Sequence, residues 1–402
     1  MNDEEFLVYS EARFSRGQSE LANAMRTLVA REDADVYEAL ADAGDRAFLE
    51  PLFFTYFFAK PPRIELPQIA FGYVPVSGRP GAFPVQTDAS GRAYLPSLGH
   101  LVTARPDACL TATWDPAAGV LALEDDDARP VACALRERTL IAGTDVEVLW
   151  ESNPLLDATF MDTDGVYVHR PIPSVGTTHA ASIARALALI EEHEPGYYEL
   201  LRRATRQVFA FRYPRVNSFA TLNAHGVVYF NAQDRDDEVF FVDELVHQCG
   251  HVVFNAMTVQ RRELFIADPD APIGELGTVA PRHDVRTLYT VLHGLYTERA
   301  MVQCLRKLDE RGVFAGRQAH ELRGRLAFIF SKMQIDVANV SRPGLFTPAG
   351  EELVDVFRAA FEATKRERPD LLRHSLRGQP YNFDYDLYAR DNPIAQMSSA
   401  AE

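Results

Sequence analysis

From Pro67 to Gly165 the apolar residues come in short runs: Ala70–Val74, Ala108–Trp114, Val120–Leu123, Thr139–Ala142 and Asp145–Trp150. Clusters of Gly, Pro and Asp close off each of them. Runs this brief between turn formers suit antiparallel strands rather than helices. The flanking sequence reads differently. Ser19–Arg31 spaces Leu21, Met25 and Leu28 at helical intervals, and Tyr37–Phe58 is an apolar-rich run ended by Pro61 and Pro62. Helical periodicity dominates after Ser174: Ala180–Glu192, Pro195–Ala204, Val239–Val259, then residues 284–310, 315–340 and 350–366. Two strand-like segments, Gln207–Tyr213 and Gly226–Asn231, interrupt it. The pattern predicts an α+β fold, strand-rich in its N-terminal half and mainly helical in its C-terminal half. We divide it into an N-terminal helix plus antiparallel strand region (1–175, a substrate or leader-binding part), a metal-binding catalytic domain (176–380) and a loosely held polar tail (381–402).

Composition narrows the classes. The chain has 402 residues, enough for two domains, with 41 basic and 57 acidic side chains. A net charge of −16 argues against nucleic acid as a partner, since a phosphate backbone needs a basic surface. No uncharged apolar run approaches the ~20 residues of a spanning helix, so no membrane partner is expected. The start, Met1-Asn2-Asp3-Glu4-Glu5, is acidic and lacks the basic opening of a signal peptide, which predicts a cytoplasmic location. Cys109, Cys133, Cys249 and Cys304 lie far apart and suggest neither a disulfide framework nor a cysteine zinc site.

The segment Phe241–Phe254 carries the chemistry. His247 and His251 are one helical turn apart, so their imidazoles stand on one face and can converge on a cation. The flanking Leu245, Val246, Val252 and Val253 are apolar, which predicts a buried, zincin-like metal-binding helix. Glu244 shares roughly that face and is placed to accept from an imidazole N–H. In the hydrolytic HExxH pattern a glutamate follows the first histidine and acts as general base. Here that position is Gln248, and an amide cannot take a proton from metal-bound water at neutral pH. The remaining readings are a hydrolase without its base, or metal chemistry that needs none there, as in an iron oxygenase. A third ligand is expected from the later segment 282–299, which offers His283, His293 and Glu298. His293 is preferred, because it shares a helical stripe with Tyr289 and Tyr296, one turn to either side. Glu298 is the alternative, and would complete a gluzincin-like zinc site.

The succession SFATLNAHGVVYFN (218–231), ELVHQCGHVVF (244–254) and DVRTLYTVLHGLYTERAMV (284–302) resembles the HExxH-motif peptide-modification proteins of ribosomal natural-product clusters, with HQxxH in place of HExxH. The match covers roughly residues 175–310. This resemblance implies an iron(II)- and 2-oxoglutarate-dependent hydroxylase acting on the β-carbon of a residue in a peptide. It places iron on His247, His251 and His293. The distal carboxylate of 2-oxoglutarate needs a cation, and Arg286 is the candidate, with Arg282 and Arg299 as rivals. Ser218, Asn223 and His225 open a strand whose edge would pair with an extended peptide. The expected partner is thus a peptide or small natural-product substrate. The alternatives are a zinc metallopeptidase and an inactive, metal-stabilised peptide-binding protein.

Overall fold

The structure is a computed structural model and describes residues 3–59, 64–151, 153–168 and 172–394. A long helix α1 (Asp3–Glu32) leads into short helices α2 (Ala34–Ala39), α3 (Gly44–Phe48), α4 (Pro51–Phe58) and α5 (Leu66–Ala70). Strands β1 (Ala82–Gln86), β2 (Arg92–Leu95), β3 (Gly99–Thr103), β4 (Cys109–Asp115), β5 (Val120–Glu124), β6 (Pro130–Val131), β7 (Cys133–Glu137) and β8 (Glu147–Val148) follow. Next come α6 (Pro154–Asp157), α7 (Gly176–His193), α8 (Pro195–Ala204), β9 (Gln207–Phe211), β10 (Phe219–Ala220) and β11 (Val227–Asn231). The chain finishes with α9 (Glu238–Met257), α10 (Leu288–Glu310), α11 (Gly316–Val340), α12 (Pro348–Glu367) and α13 (Tyr385–Asp391). The fold is α+β, with strands mainly in the N-terminal half and helices in the C-terminal half. No helix among the described residues is long and apolar enough to cross a membrane.

Two compact units emerge. The strand-rich unit holds Ser15–Ala180 and Ala204–Gln233; the helical unit holds Met1–Phe14, Ala181–Arg203 and Asp234–Glu402. The boundary expected near residue 175 therefore falls close to one crossing, but the chain crosses back. Residues 204–233 join the strand-rich unit because β11 and β8 both hydrogen-bond to β9 in parallel, and β10 pairs antiparallel with β11. Every residue of β9 is buried, the continuous apolar pattern of a strand covered on both faces. β11 lies inside this sheet, between β10 and β9, with its Val228 and Tyr229 paired to β10. Asn223, Ser218 and His225 have local tasks: the Asn223 N–H donates to Thr221 Oγ1, Ser218 Oγ accepts from the Asn231 N–H, and buried His225 meets Gln18.

Two further antiparallel sheets, ordered β1-β4-β5-β6 and β2-β3-β7, share one core of Phe83, Val85, Leu95, Leu101, Leu110 and Leu123. Phe71 plugs that core, yet Ala70–Val74 is no strand. Pro67 opens helix α5, whose end tightens into a turn at Phe71–Tyr73. Thr139–Ala142 likewise forms only an isolated bridge, Leu140 to Glu147. The Pro61-Pro62 stop lies outside the described residues. The expected loose tail is partly built in: α13 buries Tyr388 to 1% exposure, and the Tyr388 hydroxyl lies 2.6 Å from His374 Nδ1. Residues 395–402 of that tail lie outside the described residues.

Candidate functional site

Helix α9 starts where the Asp237 side chain accepts from the Val239 N–H at 3.1 Å, with Glu238 in the first turn. Phe241, Val242, Leu245, Val246, Val253 and Phe254 are all fully buried, so one broad face of the helix is fixed by packing. Buried Arg325 of α11 ties it down further, donating to Asp243 Oδ2 at 2.8 Å and to Glu321 Oε1 at 2.9 Å. Gly250 lets α10 come close. A Cβ there would sit 3.0 Å from Thr297 Cγ2 and 3.4 Å from the Tyr197 hydroxyl, which itself donates to Val246 O at 3.0 Å. α10 begins at Leu288 with Thr287 as its cap, donor Thr290 N–H at 3.1 Å.

This crossing brings the three histidines together. The His247 and His251 rings lie 4.7 Å apart between centroids, and those of His251 and His293 lie 4.5 Å apart, edge to face. His251 Nδ1 and His293 Nε2 are 2.8 Å apart, a hydrogen bond in which one ring donates and the other accepts. Phe254 stacks on His293 at 4.8 Å and Tyr289 closes its other side at 5.4 Å. All three rings are half-buried. Desolvation holds His251 down to about 4 and pushes His247 and His293 well below the usual histidine range, with the neighbouring imidazole charge adding to both. At neutral pH all three are uncharged, which is the form that ligates metals.

The Gln248 amide, 1% exposed, donates through Nε2 to Glu244 Oε2 at 3.0 Å and lies 3.4 Å from His247 Nδ1. Its Oε1 is buried without a partner. Lys332 of α11 is the cation whose charge opposes protonation of His247. Its ammonium lies 4.6 Å from the Phe328 ring and 4.5 Å from the Tyr381 ring, and donates to Tyr381 O at 2.8 Å.

Two expected residues are employed otherwise. Arg286 precedes α10 rather than lying on it, and its guanidinium is spent on two carboxylates. It bonds Asp284 through Nε and Nη2 at 2.9–3.3 Å, and both oxygens of Asp336 through Nη1 at 3.0 Å. It ties the α10 entry to α11. Of its rivals, Arg299 is buried against Asp3 and Gln303, and Arg282 is exposed. Glu298 is buried with Oε2 unpartnered. Burial first, and the charge of Asp336 next, raise it well above the ordinary carboxylate range, against the pull of Lys332 and Arg286. His283 is exposed and stands apart from this cluster's burial.

Among the described residues no group of three or more His, Cys, Asp or Glu side chains is disposed, as it stands, to hold a metal ion. The ring orientations serve the His251–His293 hydrogen bond instead. The donor chemistry nevertheless fits a first-row divalent ion: three neutral imidazoles, two of whose nitrogens lie 2.8 Å apart. Neighbouring nitrogens bound at ~2.1 Å to one six-coordinate ion are separated by ~3 Å.

Lys332 and Asp336 escaped the sequence reading. Lys332 left a faint signal, being one of four lysines in a chain whose other cations are arginines. No protein-family model matches this chain, and no curated protein matches it significantly.

Proposed function

We propose that the chain is an iron(II)- and 2-oxoglutarate-dependent oxygenase that hydroxylates a C–H bond in a peptide or small natural product, with His247, His251 and His293 as the metal ligands. The observation that carries this reading is the meeting of three neutral imidazoles from α9 and α10 at one partly open spot. Iron, when bound, would supply oxidative chemistry with O₂ and the keto acid. The chain's own residues set the conditions for it. Phe254 and Tyr289 fix the plane of His293, and burial keeps the imidazoles unprotonated. Gln248 withholds a general base, which favours oxidation over hydrolysis at a site that otherwise resembles a zincin helix.

With Arg286 committed to Asp284 and Asp336, we assign the acid end of the co-substrate to Lys332. Its ammonium has three donors, one of which goes to Tyr381 O, and its charge reaches His247. The test loads the full chain anaerobically with iron(II) or zinc(II) and measures binding, oxygen uptake and conversion of 2-oxoglutarate to succinate. Iron-dependent succinate formation is expected, lost in His251→Ala and His293→Ala. In Lys332→Met the KM for 2-oxoglutarate should rise more than kcat falls. Zinc-dependent peptide cleavage, or failure of every first-row ion to bind, would overturn the proposal.

A further inference from the structure

The ammonium of Lys332 lies in the field of four carboxyl groups, those of Glu298, Asp243, Asp336 and Glu244, carried by α9, α10 and α11. A lysine is a point charge on a flexible four-carbon stem, and in such company it ordinarily swings onto an acid. Lys332 does not. Among the described residues Asp243 pairs with Arg325 at 2.8 Å and Asp336 with Arg286 at 3.0 Å, while Glu298 Oε2 is left without a partner.

What keeps the ammonium off these acids is two rings and a main-chain carbonyl. Phe328 is one turn earlier on α11, so it shares the Lys332 face, and its ring lies 4.6 Å from Nζ. The Tyr381 ring lies 4.5 Å from Nζ, and Tyr381 O accepts from it at 2.8 Å. Ring faces attract a cation, so both contacts are favourable to an ammonium that has no carboxylate partner.

The segment that presents Tyr381 is braced. Gln379 Nε2 donates to Asp384 O at 3.0 Å and Gln379 Oε1 accepts from the Asp384 N–H at 2.8 Å, so one side chain closes the base of the 379–384 loop. Phe383 seats the loop on α11, 5.7 Å from the Phe328 ring and over Gly324, where a Cβ would meet its Cζ at 2.7 Å. Tyr381 itself is 72% exposed. A ring that open adds little to the core, so a purely structural role does not account for a braced loop that aims it at Lys332.

We propose that Tyr381 is a positioning residue, which with Phe328 holds the Lys332 ammonium away from the neighbouring acids and so keeps it available to the carboxylate of an incoming ligand. This rests on the reading of Lys332 as the cation for the acid end of 2-oxoglutarate. Fixing a flexible cation before the ligand arrives removes much of the ordering cost at binding.

Tyr381→Ala removes the ring and keeps the carbonyl, and Tyr381→Phe keeps both. The first readout needs neither metal nor co-substrate. The chain has only four lysines, so a sample of the full chain with isotope-labelled lysine gives four ε-methylene signals in NMR, with Lys332 assigned by its loss in Lys332→Met. Ring currents should place the Lys332 signal upfield of the other three in wild type and in Tyr381→Phe, and Tyr381→Ala should move it back toward them with Tm unchanged. The second readout is kinetic, in the iron-loaded chain. Tyr381→Ala should raise the KM for 2-oxoglutarate about three- to tenfold with little change in kcat, and Tyr381→Phe should match wild type. A Lys332 signal that stays in place in Tyr381→Ala, a moved signal with an unchanged KM, or a Phe variant that behaves like the Ala variant would each overturn the proposal alone. A wild type that neither binds nor converts 2-oxoglutarate would overturn it together with the assignment of Lys332 beneath it.

Discussion

Replacing Arg325 with methionine tests what holds the histidine helix in place. Arg325 and Asp243 are both nearly inaccessible, 7% and 5% exposed, and pair at 2.8 Å one turn before His247. Glu321 keeps a second partner in Arg317 at 3.1 Å, so the substitution strands Asp243 above all. Removing one member of a buried ion pair costs about 3–5 kcal/mol. In a cooperative unit of roughly two hundred residues each kcal/mol lowers Tm by about 2–4 °C, so the loss amounts to about 6–20 °C. Burial already raises the Asp243 carboxyl, and Arg325 is the largest influence holding it down. Without the guanidinium its folded-state affinity for a proton climbs further above that of the unfolded chain. Between those two values the folded state binds more protons, so stability falls as pH rises. The deficit of the variant should therefore be greater at pH 8 than at pH 5. Calorimetry of wild type and variant at both pH values measures it, and Asp243→Asn in the same background should restore much of the loss. A drop below about 3 °C, or an equal drop at both pH values, would refute the assignment of Arg325 as the anchor of α9.

Three other outcomes follow from the same geometry. Gly250→Ala should cost about 1–3 kcal/mol in urea denaturation, because the new methyl meets Thr297 at 3.0 Å and prises α9 from α10; a neutral result would mean the crossing is looser than drawn. Glu147, 1% exposed with one oxygen unpartnered, is pushed up to about 7 by burial. The folded state therefore loses stability as pH rises from the ordinary carboxylate range to about 7, and Glu147→Gln should remove that slope and stabilise the chain at pH 8 by at most about 3 kcal/mol; an unchanged slope in denaturant titrations would refute it. Gln248→Glu should leave peptide cleavage undetectable with zinc, and its appearance would count against oxygenase chemistry.

Some of this was legible in the sequence and some was not, for physical reasons. The α9 face could be read because His247 and His251 are local partners, set by the helical repeat alone. His293 was reachable as well, through its stripe with Tyr289 and Tyr296. The partners of Arg286 were only half legible: Asp284 is two residues away, but Asp336 lies fifty residues on and declares itself only when α11 packs against α10. β1 escaped notice although Phe83 and Val85 alternate inward, because Pro84 between them reads as a breaker. β11 looked like an edge since its partner β10 is only two residues long and leaves almost no pattern.

The glutamine at 248 also makes electrostatic sense where it stands. A glutamate there would lie one turn from Glu244, and like charges at that spacing repel. The amide turns the same contact into a hydrogen bond, donating to Glu244 Oε2 while resting near His247 Nδ1. A hydrolytic base would then have to come from another carboxyl group. Glu298 on α10 is the buried alternative, and burial, with the charge of Asp336 next, favours its protonated form. Restoring hydrolysis thus requires more than one substitution: a carboxylate at 248 and relief from Glu244. Oxidative chemistry requires neither, and that asymmetry is the physical reason for preferring an oxygenase at a helix that otherwise carries a hydrolase's histidine spacing.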